Sequence, residues 1–271
     1  MSYFTAIGLE KEPFSTSPDP AFFYRSTAHQ TALNRLEIAI RLRRGLSIIL
    51  GDVGAGKTTL SRILTQMLSN EEGFDFHIIL DPNYKSEYQF LASLSKMLGI
   101  STELKSTIDY KEELQKYLFQ KGVEENKTIV LVIDEGQKLN SDSLEILRTL
   151  LNYETNEYKL LQLVIMAQVE FLPRIKKIKN FFDRISLKYI INPLDENETS
   201  QMISFRLKQA GYNQDYELFT PEAVRLIHAH TQGYPRKISM ICHDALEYLV
   251  MRDLRLIDDN LIGELITESV R

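Results

Sequence analysis

Residues Leu46-Ser47-Ile48-Ile49-Leu50 form an apolar run that ends in Gly51-Asp52-Val53-Gly54-Ala55-Gly56-Lys57-Thr58-Thr59. Leu60, Ile63, Leu64, Met67 and Leu68 then repeat at helical spacing. Gly51–Thr58 satisfies G-x-x-x-x-G-K-[ST] at every fixed position, in the strand–loop–helix context that gives the motif its physical meaning. The glycines let the backbone wind so that successive N–H groups point inward at an anion, and the helix start adds its positive dipole end. Residues 51–59, Thr59 included, are therefore expected to hold the phosphates of a nucleoside triphosphate. Lys57 would reach the β- and γ-phosphates and the Thr58 hydroxyl would bind Mg²⁺. An ordinary strand-to-helix turn is the plain alternative, and the full match in the right context counts against it.

A second constellation follows about 80 residues on. Thr128-Ile129-Val130-Leu131-Val132-Ile133 reads as a strand buried on both faces, and Asp134-Glu135 stand at its C-terminal end. Open parallel sheets place their ligands there. Asp134 is expected to hold Mg²⁺, directly or through water, and Glu135 to polarise the water that attacks the γ-phosphate, which favours hydrolysis of the triphosphate over mere binding. Alone, an Asp-Glu pair after an apolar run only marks a strand entering solvent; the upstream loop gives it weight.

Around these two motifs, strands are predicted at 74–80, 160–166 and 187–191. Helices are predicted at 28–44, 86–98, 109–123 (opened by an Asp109/Glu112 capping box), 143–153 and 171–176. The alternation specifies an α/β P-loop fold, a five-stranded parallel sheet flanked by helices. Beyond Pro193 only helical patterns remain, at 196–210, 221–231, 235–252 and 258–270. The expected organisation is an extended aromatic- and proline-rich segment at 1–27 packed on the core, a nucleotide-binding domain at 28–194, and a helical lid at 195–271.

The 32 basic and 37 acidic residues give a net charge of −5, which does not mark a nucleic-acid binder overall. Arg174, Lys176, Lys177 and Lys179 make a local basic run that reads as a solvated helix face, with contact to phosphate backbone as the alternative. The lone Cys242 excludes a disulfide framework or a cysteine metal site. His228 and His230 do not share a helix face, so no metal pair follows. No apolar run reaches the roughly 18 residues of a membrane span and no leader pattern opens the chain, so a cytoplasmic location is expected.

Together Gly51–Thr58, Ile129–Glu135 and the helical tail resemble an AAA+ ATPase. The pattern Phe4…Gly8-Leu9…Pro13-Phe14…Pro18-Asp19-Pro20…Phe23-Tyr24 is similar to the start of the ExeA/GspA-like branch (general secretion pathway protein A). So are Leu161–Gln168, Phe219–Ala223 and Gly233-Tyr234-Pro235-Arg236. The resemblance implies that Gln168 is a sensor 1 near the γ-phosphate, although Ala167-Gln168-Val169-Glu170 stands where the branch often has Gly-Gln-Pro-Glu. It implies that Arg184 is an arginine finger acting in trans within a homo-oligomer, and that Arg236 is a sensor 2 opening a helix of the lid. Tyr24 and His29 lie where the segment would pass the adenine. ATP and Mg²⁺ are the implied cofactors. An oligomeric switch or motor acting on a protein assembly of secretion or pilus type is the implied role. A MuB/TnsC-like ATPase that binds duplex DNA and recruits a transposase is the alternative.

Overall fold

The computed structural model describes residues 3–17, 19–100, 104–214 and 216–269. Met1, Ser2, Pro18 of the opening pattern and the end of the expected helix 258–270 lie outside the described residues. The chain runs through α1 (Tyr3–Ala6), α2 (Thr27–Arg41), β1 (Leu46–Leu50), α3 (Lys57–Leu68), β2 (Phe74–Ile79), α4 (Glu87–Met97), α5 (Thr107–Phe119) and β3 (Thr128–Ile133). It continues through α6 (Ser141–Leu150), β4 (Leu161–Ala167), α7 (Phe171–Lys176), α8 (Lys179–Phe182) and β5 (Ile185–Ile190). Four helices close it: α9 (Glu196–Gln209), α10 (Pro221–Thr231), α11 (Pro235–Met251) and α12 (Asp259–Ser269). Two compact units result. One comprises His29–Asp52 and Leu60–Ile191; the other comprises Met1–Ala28, Val53–Thr59 and Asn192–Arg271.

The first unit is a five-stranded sheet in the order β2-β3-β4-β1-β5, with every neighbour parallel. Parallel neighbours need long crossovers, and the helices between the strands supply them. Strands β1, β3 and β4 are buried along their whole length, in keeping with sequences made mostly of Ile, Leu and Val. The edge strand β5 instead alternates and leaves Ile190 exposed. On β4 the buried Gln162 stays satisfied, its Oε1 accepting the Gly45 N–H at 2.8 Å and its Nε2 donating to the Lys159 carbonyl at 2.7 Å.

One expected helix start is corrected. The cap of α5 is Ser106, whose hydroxyl accepts the Asp109 N–H at 3.2 Å while the Asp109 carboxylate accepts the Ser106 N–H at 3.1 Å. Asp109 is therefore the third helical residue of the box rather than its cap, because a serine three residues upstream fills that place. The helix also ends earlier than 123, passing into a π turn over Gln120–Glu124. A four-residue helix, α8, separates α7 from β5 and is too short to leave a periodic signal.

The second unit packs α9–α12 around Ile203, Leu207, Ile227, Ile238, Cys242, Leu246 and Ile262. The opening segment belongs to this core, with Leu9, Phe14 and Phe22 buried in it and Phe14 edge-on to Phe219 at 6.1 Å. The expected absence of helix across residues 1–27 yields to one turn before Pro13, α1, and a 3₁₀ turn at Pro20–Phe22 capped by Asp19. Tyr24 packs on Phe205 and its hydroxyl donates to Gln201 Oε1 at 2.5 Å.

Arg206 of α9 ties the segment down. Its Nε donates to the Phe22 carbonyl at 3.0 Å. Its Nη1 reaches the Pro13 and Ser15 carbonyls at 3.4 and 3.3 Å and Ser239 Oγ at 2.9 Å. Burial pushes this guanidinium's pKa down, so the charge is held by carbonyl dipoles. Arg206→Met keeps the stem but orphans three carbonyls, and should cost about 2–4 kcal/mol of stability, read as a lowered melting temperature. A variant that melts with the parent would refute this role.

Candidate functional site

In a parallel sheet all strands end at one edge, and here that edge carries the residues that the sequence singled out. Gly51 follows β1, Asp134 and Glu135 follow β3, and Gln168 follows β4. The register sets Leu50 beside Ala167 and Ile133 beside Ile165, and the Gly51 N–H donates to the Ala167 carbonyl at 3.2 Å. Gly51, Asp134, Glu135 and Gln168 thus share the carboxyl edge of three adjacent buried strands.

Asp134 is 2% exposed, and its Oδ1 accepts the Glu135 N–H at 2.9 Å. A carboxylate buried at a strand end, held by a neighbouring N–H, is a donor suited to a hard cation. Glu135 is half-buried and sits in the left-handed region at φ 53°, ψ 37°, an arrangement costly for a residue with a Cβ. The next residue explains the tight turn. A Cβ on Gly136 would lie 2.3 Å from Ile165 Cγ2 and 3.2 Å from the Met166 carbonyl oxygen, so only glycine lets the loop lie against β4.

Two residues fasten this loop: Gln137, which sequence reasoning missed, and Arg174, which it placed in a basic run instead. Gln137 donates from Nε2 to Glu135 Oε2 at 2.6 Å and accepts the Gln168 N–H on Oε1 at 3.1 Å. Arg174 of α7 donates to the Gln137 carbonyl at 2.8 Å and to the Leu139 carbonyl, with its guanidinium 5.2 Å from the Phe171 ring centroid. Arg174 thus donates to two carbonyls of the loop while remaining exposed, as are the other members of the basic run, Lys176, Lys177 and Lys179. The signal for Gln137 was its place two residues after Glu135; nothing local marked Arg174.

In the other unit, the loop itself takes the conformation that its glycines allow, with Gly54 at φ 83° and Gly56 at φ 90°. α3 begins at Lys57, which is 7% exposed. Positive-φ glycines leading into a twelve-residue helix fit a phosphate cradle. Arg236, at the start of α11, meets this loop: its N–H donates to the Gly54 carbonyl at 3.3 Å, and a Cβ on Gly54 would lie 2.9 Å from Arg236 Cβ. The Gly-Tyr-Pro-Arg motif is thus placed against Gly54.

Arg184 stands just before β5 and is half-buried. It donates to Asn152 Oδ1 through Nη2 at 2.6 Å and Nε at 3.2 Å, and to the Asn180 carbonyl. His29 is buried within α2. His228 Nδ1 pairs with Thr199 Oγ1 at 3.1 Å. Among the described residues no helix is long and apolar enough to cross a membrane.

A parallel sheet in this strand order, a glycine loop feeding a helix, and a carboxylate pair at the edge define a nucleotide-binding fold of the P-loop class. The AAA domain family model matches residues 40–175, and the chain belongs to that family of ATPases. It is similar to General secretion pathway protein A of Aeromonas hydrophila, 33% identical over 246 residues that make up 90% of this chain and 44% of that protein. The chain thus spans less than half the length of that relative. Among solved structures it is similar to the ORC2 protein of Aeropyrum pernix in its ADPNP–ADP complexes, with a TM-score of 0.67 at 15% identity, over 96% of this chain and 72% of that one. It is also similar to the ORC1 protein of Aeropyrum pernix in complex with DNA, with a TM-score of 0.67 at 16% identity, over 95% of this chain and 69% of that one. At such identities the two likenesses describe the fold.

Proposed function

We propose that this chain is a Mg²⁺-dependent ATPase that works as a homo-oligomer to remodel or regulate a protein assembly. The supporting observation is the carboxyl edge of the sheet, where Asp134, Glu135 and Gln168 gather beside the strand that leads into the phosphate loop. ATP would supply the phosphoanhydride bond, and a bound Mg²⁺ would supply charge neutralisation at its oxygens. Backbone N–H groups of residues 51–59 would cradle phosphate, Lys57 would add charge, and Thr58 and Asp134 would each offer an oxygen to the cation. Glu135 draws the proton of the attacking water, and Gln168 offers a polar side chain at the γ-phosphate. Arg236, on the helical lid, reports the phosphates to it. Phosphate release that requires Mg²⁺ and stops with EDTA tests the reading; release no faster than the buffer blank would overturn it.

Arg184 serves the site of a neighbouring copy, where a guanidinium offsets charge in the transition state. Arg184→Ala and Glu135→Gln proteins, each inactive alone, should regain turnover on mixing, because a mixed assembly sets an intact finger against an intact base. Two inactive variants that stay inactive when mixed would remove the role in trans.

The likeness to General secretion pathway protein A supports a secretion- or pilus-type assembly as the client. The alternative is a transposition-type ATPase on duplex DNA, and the neighbour solved with DNA keeps it in play. Arg174 of the basic run is engaged by the Gln137 and Leu139 carbonyls, and Lys176, Lys177 and Lys179 are exposed beside it. ATP-dependent retention of duplex DNA across a salt series separates the two. No retention at low salt is expected, whereas retention lost on a steep salt slope would move the assignment to DNA.

A further inference from the structure

Gln137 uses both ends of one amide to join two parts of the site: its NH₂ group meets Glu135 at 2.6 Å and its carbonyl meets the Gln168 N–H at 3.1 Å. We propose that Gln137 is a positioning residue that fixes the Glu135 carboxylate against the end of β4; this rests on Glu135 acting on the water.

The amide orientation follows from its partners. Reversed, it would set an NH₂ against the Gln168 N–H and a carbonyl oxygen against a carboxylate, two repulsive contacts in place of two hydrogen bonds. The carboxylate needs such a hold because Glu135 leaves the chain from a left-handed residue, outside the regular strand. The holder is itself held. Arg174 donates to the Gln137 carbonyl, Gly136 lies against Ile165, and Leu139 is fully buried. A displacement of the Gln168 peptide is therefore passed through one rigid amide to the carboxylate. Productive geometry for proton abstraction tolerates only small misplacement, so loss of the hold should appear in the chemical step and not in nucleotide binding.

Gln137→Leu keeps the volume and deletes both hydrogen bonds. Gln137→Asn keeps the amide one methylene too short to serve both partners. Steady-state turnover, ATP affinity from titration with a fluorescent ATP analogue, and melting temperature are measured for both, for Glu135→Gln, and for Glu135→Gln combined with Gln137→Leu. Gln137→Leu should lower kcat about 10- to 100-fold, with KM and Kd within about twofold of the parent, and Gln137→Asn should fall between. The double variant should be no slower than Glu135→Gln alone, because the two residues act as one unit. Parental kcat in Gln137→Leu, a rise in KM or Kd at constant kcat, or an additive loss in the double variant would each overturn the proposal. If Gln137→Leu does not fold, Gln137→Asn carries the same comparison, and parental kcat there overturns it. Parental turnover in Glu135→Gln would instead overturn the reading of Glu135, a separate failure.

Discussion

Glu135→Gln is expected to lower ATP turnover by at least about 100-fold while leaving ATP affinity within about twofold. The substitution is close to isosteric, and the Gln137 amide can still donate to the oxygen left at position 135, so the loop keeps its shape. What disappears is the basic oxygen. A carboxamide cannot take a proton from water at neutral pH, so on the proposed reading the attacking water would lose its acceptor while residues 51–59, Asp134 and Arg184 are unchanged. Asp134 is a different case: it is 2% exposed and bonded to the Glu135 N–H, so replacing it would disturb the loop as well as the proposed cation site. Glu135→Gln is therefore the cleaner probe. Single-turnover phosphate release and nucleotide titration on the same preparation give both numbers. Turnover within threefold of the parent would remove Glu135 from the chemistry.

The parts of this molecule that were legible in the sequence are those whose signal is local. Ile129–Ile133 must be a doubly buried strand because each residue is apolar and most are β-branched, and the strand lies within the sheet. The glycine loop is legible because its motif fixes four positions within eight consecutive residues. The cap of α5 was misplaced by three residues because Ser106 and Asp109 both fit an N-terminal pattern, and only the folded chain shows which hydroxyl meets which N–H. Gln137 and Arg206 were missed for another reason. Their partners are a β4 peptide 31 residues away and carbonyls of a segment more than 180 residues away. Composition at positions 137 and 206 says nothing of such distant partners. Arg174 sits in a run of basic residues and looks like its neighbours until its bonds to two carbonyls of the loop are seen.

Gly233→Ala should remove several kcal/mol of stability, about 3–5. Two costs coincide at this site. The residue sits at φ 74°, where an alanine is strained by about 1–2 kcal/mol even in open space. Its added Cβ would also lie 1.9 Å from the Leu194 carbonyl oxygen and 3.0 Å from the Leu194 nitrogen, and neither is the flexible end of a side chain. The backbone must part, which breaks the Leu194 N–H to Gly233 carbonyl bond of 2.9 Å and shifts the turn that leads through Tyr234 and Pro235 to Arg236. The expected phenotype is a lower melting temperature together with weaker nucleotide binding, since Arg236 meets Gly54 through that turn. Two other glycines separate the costs. Gly8 has φ 80° and nothing within 4 Å of an added Cβ, so Gly8→Ala should show the backbone cost alone. Gly263 lies inside α12 with no positive φ and no contact, so Gly263→Ala should stabilise by about 0.5–1 kcal/mol through helix propensity. Calorimetry on the three variants should rank them Gly263→Ala above the parent, then Gly8→Ala, then Gly233→Ala. If Gly233→Ala melts no lower than Gly8→Ala, the close approach to Leu194 is not what makes position 233 a glycine.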